Sequence, residues 1–357
     1  MRELKLAVLG FGNVGKAFSE LLVKKHKEII DEYGVDVKVS CIVTGSKGKV
    51  SNGDGINTDT VISDLNENGR FTEITYNEGG LCERKKCRNL TLKTNAEIIR
   101  EEDYDVLVEL TPLNAETGQP AIDHIKEAFR RKKHVVTANK GPIAWAYREL
   151  KEMAEEAGVC FFHETTVMDG APVFNMYDNT LRLAEVTGIE GVLNTTTNYI
   201  LDEMGKGVSF EDSLKEGRKL GFVESDPSLD IEGWDGAVKI TSLVNVLMDG
   251  NISPDMVRRK SIADITQDDI EAADKEGQVI KVMCRAKTDE KGELKVTVQP
   301  ERVDKSRQAA LVCGTTSWVA ITTDMMGTLS IFENDPDIYQ TAYGVFSDTL
   351  RVICEKD

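Results

Sequence analysis

Leu4-Lys5-Leu6-Ala7-Val8-Leu9-Gly10-Phe11-Gly12-Asn13-Val14-Gly15 is the stretch that decides the architecture of the first half. Residues 4–9 form an apolar-rich run that stops at a glycine, the pattern of a buried strand. Residues 16–32 follow with helical spacing through Ala17, Phe18, Leu21, Leu22 and Ile29. Between them lies G-x-G-x-x-G. Gly10 permits a tight turn, Gly12 lets a pyrophosphate approach the backbone, and Gly15 lets the helix pack closely on the strand. The helix start adds unsatisfied N–H groups and a partial positive charge for the phosphates. Strand, turn and helix in this order make Gly10, Phe11, Gly12, Asn13, Val14 and Gly15 candidate dinucleotide ligands.

Working outward, strands are expected at 36–43, 104–110, 134–138 and 159–163, and helices at 115–131 and 144–157. Residues 46–95 read as a polar, glycine-rich excursion with a short helix near 58–67. Alternating strands and helices argue for a parallel sheet covered on both faces. The second half changes character. It offers a strand at 182–193, helices at 197–205 and 235–249, paired strands 278–284 and 293–300, and strands 309–313 and 317–323. A last helix at 339–353 is long enough to pack back on the first domain. The expected fold class is α/β: an N-terminal Rossmann-type doubly wound parallel sheet plus an α+β catalytic and dimerisation domain with a mostly antiparallel sheet. The expected divisions are a nucleotide-binding domain at 1–145, a substrate-binding, catalytic and dimerisation domain at 146–323, and a returning segment at 324–357. Apolar strands around 278–323 suit a homodimer with a shared sheet.

A formal net charge of −17 argues against nucleic-acid or anionic-membrane binding, because the mean field repels both. No apolar run is long enough for a membrane span, and the N-terminus lacks the apolar core and cleavage site of a signal peptide. Seven cysteines, odd in number and scattered, suit reduced thiols in a cytoplasm. Cys82 and Cys87 bracket half a zinc pattern, but no second Cys or His pair lies nearby.

The end of the second strand reports on the cofactor. NAD enzymes usually place an acid there. Here Val43 is followed by Thr44, Gly45, Ser46, Lys47, Gly48 and Lys49. Thr44, Ser46 and Lys47 suit a 2′-phosphate, so the expectation is NADP, with NAD possible. Ligands of open parallel sheets lie beyond the carboxyl ends of strands. Thr111 and Pro112 close one such strand. Ala138 and Lys140 flank the end of another, before an expected exit turn at Gly141-Pro142. Three threonines at 195–197 form a strand-to-helix junction with donors for a carboxylate or for the helix start. Residues 221–239, GFVESDPSLDIEGWDGAVK, gather Glu224, Asp226, Asp230, Glu232 and Asp235 before Lys239. Asp235 and Lys239 share one helical face. With Glu224 beyond a loop, they are either a grip for a zwitterionic amino acid or a solvated salt bridge.

Taken together, GFGNVG, VVTANKGP at 135–142, HETTVMDGAP at 163–172, GVLNTTTNYIL at 191–201, ESDPSLDIEGWDGAVK at 224–239 and TAYGVFSDTL at 341–350 closely resemble the homoserine dehydrogenase family over nearly the whole chain. The resemblance implies NAD(P)-dependent interconversion of L-aspartate 4-semialdehyde and L-homoserine, in threonine and methionine biosynthesis. It implies Lys239 as catalytic lysine, Lys140 touching cofactor and substrate, and Asp235 orienting substrate and Lys239. Glu224 is implied to hold the amino group and Thr196 to lie near the carboxylate. A monovalent cation, usually sodium, is implied at Glu164, Val167, Asp169 and Ala171. Three departures stand out: acids in 333–337 where the family carries a glycine-rich loop, Asp169 where small residues are common, and Phe222 for a frequent tyrosine. The short end after 341–350 leads to the expectation of no ACT-like domain or fused kinase. Two other readings remain. One is a thiol-dependent semialdehyde dehydrogenase, for which Cys160 and His163 are the nearest pair. The other is a nucleotide sensor that kept the fold and lost turnover.

Overall fold

Continuous apolar runs predict strands buried on both faces, and β1 (Arg2–Leu9) is such a strand: Leu6, Ala7, Val8 and Leu9 are all fully enclosed. The computed structural model describes residues 1–71, 75–77, 84–221, 223–224, 226–289 and 291–355. Cys82 and Phe222, singled out above, lie outside the described residues.

After β1 come α1 (Asn13–Tyr33), β2 (Val35–Val43), β3 (Lys49–Ser51), α2 (Thr58–Asn68) and the short strands β4 (Thr75–Asn77), β5 (Arg84–Lys86) and β6 (Arg88–Asn89). Then follow α3 (Asn95–Glu101), β7 (Val106–Glu109), α4 (Ala121–Arg130), β8 (His134–Thr137), α5 (Lys140–Ala157) and β9 (Phe161–Phe162). Seven strands form one sheet in the order β6-β3-β2-β1-β7-β8-β9. The run from β2 to β9 is parallel, while β3 and β6 add an antiparallel edge. The chain winds from β1 to β2 on one side and to β7 on the other. That reversal puts the topological switch point at the carboxyl end of β1, beside Gly10.

The second unit contains α6 (Val173–Thr180), β10 (Val186–Val192), α7 (Thr195–Gly205), α8 (Phe210–Leu220), α9 (Ser228–Ile231) and α10 (Trp234–Leu247). It continues through β11 (Arg258–Arg259), α11 (Gln267–Lys275), β12 (Gln278–Thr288), β13 (Leu294–Asp304), β14 (Ser317–Thr323) and β15 (Gly327–Glu333). Its six-stranded sheet runs β11-β13-β12-β10-β14-β15, antiparallel except where β11 meets β13. Helix α10 lies tightly on this sheet because position 236 is glycine. A Cβ there would come within 2.9 Å of Val298 and 3.2 Å of the Cys284 sulfur.

The chain then enters α12 (Ile338–Glu355), whose Ala342, Val345, Phe346, Val352 and Ile353 join the core of the first sheet with Phe18 and Leu22 of α1. The compact units are residues 1–142, 148–170 and 337–357 for the first, and 143–147 and 171–336 for the second. These bounds differ from the expected divisions at 145 and 323: β9 adds a strand to the parallel sheet, and β15 extends the antiparallel one.

Several elements differ from expectation for local reasons. Helix α4 starts at Ala121 rather than 115, because the Asn114 side chain captures the N–H groups of Glu116 and Thr117 in a turn instead. Helix α5 starts at Lys140, so Gly141-Pro142 is a first helical turn and not an exit turn. Proline fits there because first-turn N–H groups have no intrahelical partner. An unexpected helix, α3, follows the polar excursion, opened by a capping box between Thr94 and Glu97. Residues 309–313 are not a strand. A short 3-10 turn at Gln308–Leu311 buries Ala309 instead.

Candidate functional site

In the first unit, the glycine turn has the shape its residue types predict. Gly10 adopts φ +96°, and a Cβ there would lie 2.2 Å from the Leu110 carbonyl oxygen. A Cβ on Gly15 would sit 2.7 Å from the Gly10 carbonyl oxygen, whereas nothing lies within 4 Å of one on Gly12. The turn is tied to the neighbouring strand by Gly10 and Phe11 N–H groups donating to Val43 O at 2.9 and 3.3 Å. Helix α1 has no side-chain cap and no acid in its first turn. Its leading amides are therefore not engaged by the usual protein acceptors, which fits a phosphate of a dinucleotide. The Phe11 side chain is buried in the core, so only its backbone can meet a ligand; Asn13 is exposed and Val14 half-buried.

After β2, the Thr44 hydroxyl is spent on its own turn: it donates to Gly48 O at 2.7 Å and accepts from the Lys47 N–H at 2.8 Å. Ser46 and Lys47 remain exposed. The Lys49 ammonium donates to Lys93 O at 2.6 Å, and burial lowers its pKa. At the ends of β7 and β8, Thr111, Ala138 and Lys140 are half-buried and Pro112 is exposed. Asn139 caps α5 by accepting the Gly141 N–H at 3.0 Å and donates to Thr111 O at 3.0 Å, so the two strand ends are joined. Also in this unit, Glu164 and Val167 are buried, and the Glu164 N–H donates to Asp348 at 2.9 Å. Asp169 has φ +38° and accepts from the Thr341 hydroxyl at 2.7 Å. Among the described residues no group of three or more His, Cys, Asp or Glu side chains could hold a metal ion.

In the second unit, α10 places Asp235 and Lys239 one turn apart, with Lys239 Nζ 3.4 Å from Asp235 Oδ2 and both side chains about five-sixths buried. Lys239 also donates to Leu193 O at 2.6 Å. The organising residue is one the sequence reading missed. Asn194 caps α7, where threonines were expected to, by accepting from the Thr197 N–H and hydroxyl, both at 2.8 Å. Its amide nitrogen donates to Asp230 Oδ1 at 2.7 Å and Asp235 Oδ2 at 2.9 Å. One amide thus bridges two carboxylates beside an ammonium. Asp230 was noticed only as part of an acid cluster. The signal for Asn194 was present, because Asn outranks Thr as an N-cap. Thr196 is buried in the first turn of α7. Glu224 is exposed, and its carbonyl oxygen accepts Arg218 Nε at 3.4 Å. Ala171 is buried in this unit.

Burial suppresses the thiolate at three of the cysteines. Cys284 is fully buried, and desolvation pushes its thiol up to about 12. Burial raises the Cys41 and Cys87 thiols as well.

A doubly wound dinucleotide-binding sheet, together with an α+β unit that carries a carboxylate–ammonium centre, is the arrangement of a two-domain dinucleotide-dependent enzyme. Comparison with known proteins narrows this. The sequence profile of the homoserine dehydrogenase family matches residues 172–350, and that of the homoserine dehydrogenase NAD binding domain matches residues 10–164. The chain is 37% identical over 350 residues to a homoserine dehydrogenase of Methanocaldococcus jannaschii, covering 98% of each. It is 30% identical over 352 residues to an NAD(+)-dependent homoserine dehydrogenase of Pseudomonas canavaninivorans, covering 99% of this chain and 97% of the other. Among solved structures, a hyperthermophilic archaeal homoserine dehydrogenase in complex with NADPH matches with TM-score 0.80 at 25% identity, over 99% of this chain and 98% of that one. The chain belongs to the homoserine dehydrogenase family.

Proposed function

We propose that the Asn194–Asp235–Lys239 centre carries the interconversion of L-homoserine and L-aspartate 4-semialdehyde. The carrying observation is the single Asn194 amide that holds Asp235 against Lys239 in a partly desolvated site. Reduction of an aldehyde builds negative charge on its oxygen. An ammonium fixed by Asp235 and by Leu193 O is placed to stabilise that charge and to give the oxygen a proton. The Asp235 carboxylate lies 3.4 Å from the ammonium, and partial burial strengthens the interaction between them. Gly10–Gly15 and the ends of β2, β7 and β8 would hold the nicotinamide cofactor, which would supply or accept the hydride. Lys140 is the second lysine of the reaction, Glu224 receives the amino group, and Thr196 receives the carboxylate.

The absence of an acid after β2, with Ser46 and Lys47 exposed, favours NADP over NAD. A monovalent cation, sodium first, is assigned to Glu164, Val167, Asp169 and Ala171. The protein acts as a homodimer, and light scattering on the purified chain tests that. No helix among the described residues is long and apolar enough to cross a membrane.

The deciding assay gives purified protein L-homoserine with NADP or NAD and follows absorbance of the reduced cofactor. Turnover that disappears in Lys239→Ala while cofactor binding persists supports the assignment. Cofactor binding without turnover in the wild-type chain would instead support a nucleotide sensor. Activity unchanged between sodium, potassium and choline salts would remove the cation.

A further inference from the structure

A buried acid beneath the expected cofactor site is not used by the chemistry above. Glu109 ends β7 and is completely enclosed. Burying a carboxyl group in a parallel sheet is costly unless its oxygens are hydrogen-bonded. Its Oε1 is the common acceptor of three donors: the Thr111 N–H at 3.3 Å, the Thr111 hydroxyl in a very short contact, and His124 Nδ1 at 3.4 Å. Its Oε2 meets no hydrogen-bond partner among the described residues.

The His124 tautomer follows from the neighbour on its other side. His124 Nε2 lies 3.4 Å from Asn95 Nδ2, an amide nitrogen that can only donate. Nε2 is therefore the acceptor, and the ring hydrogen sits on Nδ1, aimed at Glu109. Thr111 is constrained in turn. Its hydroxyl hydrogen is committed to Glu109, so the oxygen can only accept from any further partner. Its carbonyl accepts Asn139 Nδ2 at 3.0 Å, while Asn139 Oδ1 receives the Gly141 N–H at 3.0 Å. A chain of donors and acceptors thus runs from Asn95 on α3 through His124 on α4 to Glu109, Thr111 and the first turn of α5, which begins with Lys140.

We propose that Glu109, with His124 behind it, is a positioning residue of the cofactor site. It fixes Thr111 as a pure hydrogen-bond acceptor at the end of β7 and, through Asn139, sets the backbone from which Lys140 projects. The inference rests on the reading of the β7 and β8 ends as the place of the cofactor. A purely structural acid would be replaceable by a neutral group of the same shape with little effect on ligand binding. A positioning acid is not, because a glutamine amide presents both a donor and an acceptor and no longer compels the Thr111 hydroxyl to point inward.

The test uses the full chain and two readouts. Glu109→Gln, Thr111→Val and the double variant are compared for NADPH affinity by fluorescence and for kcat, with thermal unfolding as control. Glu109→Gln and Thr111→Val should each weaken NADPH binding about tenfold, the size of one hydrogen bond. The double variant should lose no more than either single one, since both break the same link. Thr111→Ser, which keeps the hydroxyl, should restore wild-type affinity. Additive losses, or wild-type affinity in a folded Glu109→Gln, would overturn the proposal. Nitrogen NMR of His124 gives a readout independent of activity: an Nδ1–H tautomer is expected in the ligand-free protein, and an Nε2–H tautomer would refute the relay even if the chain proved fully active. Should NADPH fail to bind wild-type protein while the Nδ1–H tautomer is present, the cofactor reading fails and the positioning role falls with it.

Discussion

Asn194→Ser separates two jobs that one side chain performs. Asparagine here makes four hydrogen bonds: its oxygen takes the Thr197 N–H and hydroxyl, and its nitrogen serves Asp230 and Asp235. Serine is an equally good N-cap, so α7 should start normally, with the capping contribution to stability within about 0.5 kcal/mol of wild type. A serine hydroxyl is shorter and has one hydrogen, so it cannot cap α7 and bridge two carboxylates 2.7 and 2.9 Å from the present nitrogen. Each lost hydrogen bond to a charged group is worth about 1.5–3 kcal/mol. If only one of the two bears on the reacting geometry, kcat/KM for homoserine falls by roughly ten- to a hundredfold. Asn194→Ala should show the same kinetic loss and, in addition, about 1 kcal/mol of destabilisation from the missing cap. The assay is steady-state oxidation of homoserine at saturating cofactor, with urea unfolding alongside. A serine variant with wild-type kcat/KM would refute the bridging role. So would a serine variant whose losses track stability alone.

Other outcomes follow from the same geometry. Lys239→Ala should lower kcat by about a hundred- to ten-thousandfold, the range for a positioned proton donor, while leaving cofactor affinity intact, as titration of NADPH fluorescence would check. Its stability cost should stay below that of a typical broken buried pair, about 3–5 kcal/mol, because Asn194 still holds Asp235. Gly10→Ala should cost several kcal/mol or prevent folding, since its Cβ would lie 2.2 Å from the Leu110 carbonyl oxygen at a φ of +96°; soluble variant with normal NADPH binding would contradict the turn. The Cys284 thiol, pushed up to about 12, has its thiolate suppressed at every pH below that value. Iodoacetamide at pH values up to about 9 should label the exposed Cys313 and Cys354 but not Cys284, and mass spectrometry of the peptides reads this directly.

The glycine turn was legible because its constraints are local. Each glycine is demanded by atoms within a few residues or on the adjoining strand, and the motif states that demand directly. The Asp235–Lys239 pair was legible for the same reason, since helical spacing alone brings the two side chains together. The 3-10 turn at 308–311 was not: a short apolar run such as Ala309-Ala310-Leu311-Val312 has no period that separates strand from other buried backbone. Helix α3 was overlooked although Thr94-Asn95-Ala96-Glu97 spells a capping box, because the helix is short and charged and starts where the polar excursion ends.

The instructive misses are the two asparagines that start α5 and α7. Asn139 and Asn194 both stand at strand-to-helix junctions, and both cap with the side-chain oxygen. An aspartate or serine would cap equally well. Only an amide keeps two further hydrogens on the opposite end of the side chain, and each asparagine spends them on another element. Asn139 reaches the Thr111 carbonyl at the end of β7, and Asn194 reaches Asp230 and Asp235. The local role of each is visible from the sequence as a helix start. The long-range role depends on which strand or loop the fold brings alongside, and no spacing rule encodes that. In both units the residue that begins a helix is therefore also the residue that fixes the neighbouring functional group, which makes Asn139→Asp and Asn194→Asp a sharp pair of variants. Each should preserve its helix cap. Asn139→Asp would set a carboxylate against the Thr111 carbonyl oxygen, and Asn194→Asp would crowd a third carboxylate against Asp230 and Asp235. Both should lose activity far more than helix content, and circular dichroism that fell in step with turnover would show that capping was all these residues did.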